Sequence, residues 1–208
     1  MSGDPIEEES MTASLQLVDP RLLERRDLTV DDLVDLPEDL HYELIDGRLV
    51  LTPSAVPLHQ NISTYVLMAM HQYRPPDFYL SSDQSVWLDG RNERRPDVVV
   101  IPFSKGLRSP QRVEDVSLAV EVISPSSKIY DRKRKWDDYA RAGIPLYWII
   151  DPLAERVTFT EFALDADGQY RLQQESDQRV AIEKPWRITL DLPAWTRERD
   201  RLREADQP

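Results

Sequence analysis

The sequence predicts an α/β domain, and three observations point to it. Leu118–Ile123 and Leu146–Ile150 are short runs of β-branched, aromatic and other apolar residues, the pattern of strands buried on both faces. Between them, Tyr130–Ala142 reads as a helix closed by Gly143 and then Pro145. Strand, helix and strand in that order imply a right-handed crossover between parallel strands.

The remaining elements follow along the chain. Residues 1–27 lack sustained periodicity and carry many charges, so they read as a flexible acidic arm. Thr29 caps a short helix, with Asp32 placed to complete a capping box, and Leu33, Leu36 and Leu40 give it an apolar edge. Tyr42–Ile45, the Asp46-Gly47 turn and Arg48–Thr52 form a β-hairpin signature. Val56–Tyr73 repeats apolar residues at helical spacing and ends at Pro75-Pro76. Asp77–Ser82 and Gln84–Leu88 read as a strand broken by a bend, and residues 89–95 as a polar loop. Pro96–Ile101 is a second buried strand, and a loop over 102–114 leads back to Leu118. Arg156–Phe162 and Gln169–Gln173 form a second hairpin, with Val180–Ile182 and Arg187–Leu190 extending the sheet. Trp195–Ala205 is either a charged terminal helix or a fraying end. The expected organisation is therefore an arm (1–27), one domain (28–192) and a charged tail or helix (193–208).

Composition narrows the chemistry. With no cysteine, disulfides and thiolate metal sites are excluded, and three scattered histidines do not make a histidine-rich centre. Any metal is expected to be a hard cation on carboxylates. No apolar stretch approaches a membrane span and the N-terminus is acidic, so the expected setting is cytoplasmic. The net charge of −12 is unevenly spread: residues 1–46 hold 14 acids against 3 bases, residues 47–208 hold 24 against 23. The body is thus close to neutral, and bulk charge does not argue against a nucleic-acid partner.

Two apolar strands each carry a carboxylate, Asp97 in one and Glu121 in the other. A carboxylate withdrawn from water needs a cation beside it. Acids on neighbouring strands can converge on one Mg²⁺, which takes one or two carboxylates along with phosphate and water. Lys135 lies on the intervening helix, where an ammonium would stabilise charge on a reacting phosphate. Asp131, Lys135 and Tyr139 fall at four-residue steps and share one helix face.

These residues resemble a known pattern. Pro96-Asp97 followed by Glu121-Val122-Ile123 is similar to the PD-(D/E)XK nuclease motif. A longer succession is more specific: ELIDG at 43–47, His59-Gln60, RPDVVV at 95–100, EVISPSS at 121–127, Asp131, Lys135, Tyr139, Gly143 and YWIIDP at 147–152. Over residues 28–192 this resembles the Uma-two family of restriction endonucleases. The resemblance implies a restriction-endonuclease-like core (αβββαβ, a mixed central sheet flanked by helices) with an N-terminal hairpin and a C-terminal β extension. It also implies a Mg²⁺-dependent endonuclease, with Mn²⁺ as a substitute and Asp97 and Glu121 as metal ligands. DNA is the implied partner, and analogy with nucleases that cut both strands implies a homodimer. One departure stands out: Ile123 occupies the place of the motif lysine, and Lys135 is the candidate replacement.

Glu43 either joins the metal site or pairs with a neighbouring arginine, and His59 is either an outer catalytic contributor or a helix-start hydrogen-bonder. Ser124 and Ser126 suit a helix cap better than a nucleophile, since no histidine follows them. Trp136, Tyr139, Tyr147 and Trp148 read as core. Lys128, Arg132, Lys133, Arg94 and Arg95 are the candidate phosphate contacts. Target selection is expected in loops such as 102–114. The alternative to a nuclease is a catalytically inactive module of the same fold that binds nucleic acid or oligomerises.

Overall fold

A computed structural model describes residues 19–37, 40–52, 54–125 and 129–206. In chain order the elements begin with α1 (Pro20–Glu24), β1 (Tyr42–Ile45), β2 (Arg48–Leu51), α2 (Pro57–His71), β3 (Phe78–Ser82), β4 (Val86–Asp89) and β5 (Asn92–Arg94). They continue with β6 (Val98–Pro102), β7 (Gln111–Arg112), β8 (Leu118–Val122), α3 (Ile129–Ala142) and β9 (Leu146–Asp151). The last are β10 (Thr158–Leu164), β11 (Tyr170–Ser176), β12 (Arg179–Ile182), β13 (Ile188–Asp191) and α4 (Leu192–Ala205). Two compact units result: residues 1–54 with 87–95, and residues 55–86 with 96–208.

The smaller unit is built on the predicted hairpin. Tyr42 pairs with Leu51 and Ile45 with Arg48, and Asp46 and Gly47 both take positive φ, 50° and 78°, which suits a tight two-residue turn. Its strands run in the order β2-β1-β5-β4 over a small core of Leu28, Val30, Leu33, Leu40, Leu44 and Leu49. The capping box forms as predicted: the Thr29 amide and hydroxyl both donate to Asp32 Oδ2 at 2.8 Å, opening a 3-10 turn over Val30–Leu33. The segment read as a polar loop, 89–95, is a correction. It is a turn followed by β5, whose three residues Asn92, Glu93 and Arg94 are all buried. Their polar groups find partners inside the unit, with Trp87 Nε1 donating to Glu93 Oε2 at 2.9 Å.

The larger unit has a six-stranded sheet in the order β11-β10-β9-β8-β6-β3. Only β8 and β9 pair in parallel within it, across the crossover helix α3; β3–β6, β6–β8, β9–β10 and β10–β11 are antiparallel. Helix, three strands, helix and strand (α2, β3, β6, β8, α3, β9) give the mixed restriction-endonuclease-like core that the resemblance implied. Val98, Val100, Leu118, Val120 and Val122 point to one face and pack with Ile62, Val66 and Met70 of α2. Alternation along a strand sends Glu121 to the other face, where α3 lies. Helix α3 ends at Gly143, whose φ of 84° is left-handed, and Ile144 N–H closes the turn on Tyr139 O at 3.1 Å.

One further expectation changes. β12 and β13 do not extend the main sheet but form a separate two-stranded ladder, tied to α2 by Trp186 Nε1 donating to Met70 O at 3.0 Å. The terminal segment takes the helical one of its two expected forms and docks. Leu192, Trp195, Thr196 and Arg199 of α4 are buried, and the Trp195 ring lies 6.0 Å from Tyr65 of α2.

Candidate active site

Asp97 sits in the bend just before β6, and Glu121 is the fourth residue of β8. The two strands are antiparallel, with Val98 opposite Val120 and Val99 opposite Ala119. One further step places Asp97 across from Glu121, and opposed residues of an antiparallel pair share a face. Beyond the last paired residues the strand amides need other acceptors, and Asp97 supplies one: Val122 N–H donates to its Oδ2 at 2.6 Å. His59, in the first turn of α2, donates from Nε2 to Val122 O at 2.9 Å and lies 3.2 Å from Asp97 Oδ2. A carbonyl oxygen only accepts, so Nε2 carries the proton. Burial pushes the His59 pKa down, but the hydrogen bond and charge of Asp97, helped by Val122 O and the charge of Glu121, outweigh it and leave it raised.

Glu121 is buried, and each of its oxygens has a partner from α3. Lys135 Nζ donates to Oε2 at 2.9 Å and the Tyr139 hydroxyl to Oε1 at 2.7 Å. Both donors come from the four-residue step on one helix face. Ile123, in the motif-lysine position, is 4% exposed and belongs to the core. An ammonium therefore reaches the carboxylate from the helix and not from the strand. An aromatic cluster joins Trp136 and Tyr139 of α3 to Tyr147 of β9, Phe162 of β10 and Tyr170 of β11. Burial, and then the charge of Glu121, hold the Tyr147 hydroxyl well above its ordinary pKa despite the opposing pull of Lys135.

The donor set suits a hard cation. Asp97, Glu121 and the Val122 carbonyl offer oxygen, the atom Mg²⁺ prefers, and the hydrogen bonds of Asp97 among the described residues fall on Oδ2, leaving Oδ1 for a ligand. Among the described residues no cluster of three or more His, Cys, Asp and Glu side chains has metal-binding geometry, so water and phosphate would complete the shell. A family model described as "Uma2: Putative restriction endonuclease" matches residues 30–196.

The chain belongs to the Uma2 family.

Among solved structures, this Uma2 chain is similar to that of "a putative nuclease belonging to DUF820 from Anabaena variabilis ATCC 29413", with a TM-score of 0.59 and 18% identity over 81% of this chain and 99% of that one. At that identity the likeness speaks for the fold. No curated protein matches the chain.

Of the residues singled out in the sequence of this Uma2 chain, Asp97, Glu121, Lys135 and His59 come together. Glu43 resolves toward its arginine: Arg94 Nη1 donates to Glu43 Oε2 at 2.7 Å, both side chains buried in the smaller unit. That corrects the reading of Arg94 as a phosphate contact, because its side chain has no solvent exposure. Arg95 is half-buried, and its backbone N–H reaches Glu43 Oε1 at 3.4 Å, while Lys133 is exposed on α3. Lys128 and Ser126 lie outside the described residues, as do the side chains of Asp131 and Arg132. The loop after Pro102 leaves β6 at the end opposite Asp97, roughly 15 Å along the strand. Tyr139 is a core residue, as its sequence predicts, and its hydroxyl also donates to the Glu121 carboxylate. The signal for that second contact is the four-residue step from Lys135, which puts both side chains on one helix face.

Proposed function

We propose that this chain is a Mg²⁺-dependent endodeoxyribonuclease, a restriction-type phosphodiester hydrolase in which Mn²⁺ substitutes for Mg²⁺. One observation carries the reading: two carboxylates at the same end of neighbouring strands, with the Lys135 ammonium 2.9 Å from one of them. Asp97 and Glu121 would hold the cation, which when bound supplies Lewis-acid activation of water and neutralises phosphate charge. Lys135 stabilises the charge that builds on the phosphorus oxygens as water attacks and the ester P–O bond breaks. His59 fixes the Asp97 carboxylate and Tyr139 fixes that of Glu121, so both ligands are ordered before the substrate arrives. Lys133 and Arg95, with Lys128 and Arg132, supply phosphate contacts that position DNA without reading its sequence. Two copies would cut the two strands. No helix among the described residues is long and apolar enough to cross a membrane.

A second reading has one observation in its favour, the buried isoleucine in the motif-lysine position. On that reading the chain is an inactive nuclease-fold module that binds nucleic acid or assembles without cutting.

Incubation of supercoiled plasmid with purified protein and Mg²⁺ or Mn²⁺ separates the two. Nicking and linearisation are expected from the wild type, with Asp97→Ala and Glu121→Ala falling to the metal-free background. Equal cleavage by wild type and Glu121→Ala refutes the site. Mn²⁺ binding with no cleavage of plasmid under any condition favours the inactive module.

A further inference from the structure

We infer that Lys135 and the divalent cation exchange on Glu121 Oε2, while Tyr139 keeps Oε1. Metal entry then releases the ammonium toward the reacting phosphate. The inference rests on the metal-dependent reading above. Its starting point is that α3 presents two donors of different charge to one carboxylate, a cation at 2.9 Å on Oε2 and a neutral hydroxyl at 2.7 Å on Oε1.

Three features assign the roles. A divalent cation and an ammonium on the same oxygen would be close like charges in a partly buried site, where repulsion is far less screened than in water. A hydroxyl raises no such conflict and can stay. Mobility points the same way. Tyr139 is wholly buried and its ring is packed 5.3 Å from that of Tyr147, whereas the Lys135 side chain is 15% exposed on a flexible stem. On the facing strand, Asp97 Oδ2 is fastened by Val122 N–H and His59, so it does not compensate by moving. Lys135 is therefore the partner that yields. Tyr139 is a positioning residue that keeps the carboxylate aimed while its other oxygen changes partner.

The exchange predicts opposite signs for two single variants. In calorimetric titration of the full chain with Mn²⁺ alone, Lys135→Met should bind roughly tenfold more tightly than wild type, since a charge-assisted hydrogen bond no longer has to break first. Tyr139→Phe should bind several-fold more weakly, because the carboxylate must be ordered on binding. Purely structural roles would lower the melting temperature of both variants without moving the affinities in opposite directions. A second measurement needs no variant: acylation of Lys135 by an amine-reactive ester, followed by mass spectrometry, should speed up several-fold in wild type on saturation with Mg²⁺. Mn²⁺ binding by wild type that is unchanged or weakened in Lys135→Met, or acylation that Mg²⁺ leaves unchanged or slows, overturns the exchange and leaves the nuclease reading standing. No Mn²⁺ binding by either wild type or Lys135→Met overturns both. Affinity lost in Asp97→Ala, together with the opposite-signed pair, supports both.

Discussion

Arg94 and Glu43 make a buried ion pair at 2.7 Å, with the arginine wholly enclosed and the glutamate nearly so. Burying two charges is costly, and each offsets much of that cost for the other. Removing one partner leaves the remaining charge less well compensated in the interior. Arg94→Met is therefore expected to destabilise the protein by about 3–5 kcal/mol, while the double variant Glu43→Leu/Arg94→Met should recover much of that loss. Urea denaturation of the four proteins in the cycle checks it; additive effects would mean that the two side chains do not support each other. In the sequence, Glu93, Arg94 and Arg95 follow a turn and resemble a solvated surface run. Nothing local distinguishes them from phosphate contacts, because the partner, Glu43, is about fifty residues away. Glu121 was legible for the opposite reason. Its apolar neighbours Val120 and Val122 fix its burial, and burial alone requires a partner. The four-residue step puts Lys135 and Tyr139 on one face of α3, but that this face turns toward Glu121 depends on how the helix packs on the strand, which no local pattern encodes.

At the scale of elements, turns and short apolar strands were readable because their signals are local. Asp46-Gly47 between apolar runs could be little else than a hairpin turn. The structure adds that Gly47 is required twice over. Its φ of 78° disfavours side chains, and a Cβ there would lie 2.9 Å from Leu28 O and 3.0 Å from Arg26 O. Gly143 shares the left-handed backbone, with φ of 84°, but a Cβ would meet nothing within 4 Å. Gly143→Ala is accordingly expected to cost about 1 kcal/mol, the ordinary left-handed penalty, and Gly47→Ala clearly more, because backbone oxygens must also shift. Thermal melts of the two variants side by side test the ranking; equal losses would mean that the Arg26–Leu28 backbone gives way without cost. Helix α4 was harder to read. Leu192, Trp195, Thr196 and Arg199 follow helical spacing, yet the stripe ends in an arginine among other charges, so the sequence leaves a charged helix and a fraying end both open. Its guanidinium is in fact buried, donating to the carbonyls of Pro152, Ala154 and Glu155 at 2.8–2.9 Å. An inward arginine that satisfies loop carbonyls looks the same in sequence as an outward one.

Across the whole chain, the net charge of −12 proved a poor guide to local chemistry, since nearly all the excess of acids over bases lies in the first 46 residues. Buried ionisable groups are the better guide, and tyrosines carry them in both units. Burial, with the charge of Glu93 added and that of Arg95 opposing, pushes the Tyr42 hydroxyl up to about 12 from an ordinary 10.0. In the larger unit burial raises Tyr170, whose hydroxyl donates to Ile144 O at 2.8 Å, and it also raises Tyr147. The folded chain thus holds these three protons more tightly than the unfolded chain does. Between the unfolded value of 10.0 and the raised folded values, the unfolded state gives up these protons before the folded state does, so the equilibrium shifts toward unfolding as pH rises. The stability they contribute is fully present below the unfolded pKa of 10.0 and drains away as pH climbs through the folded value, about 12 for Tyr42. Denaturation midpoints followed from about pH 9 upward should therefore hold until about pH 10 and then fall. Phenolate absorbance from the buried tyrosines should appear with unfolding and not ahead of it. Tyr42→Phe removes one of the three titrations, so the slope of stability against pH above 10 should be shallower in that variant. A slope identical to wild type would mean that Tyr42 ionises in the folded chain as easily as in the unfolded one, and that its burial has no electrostatic consequence.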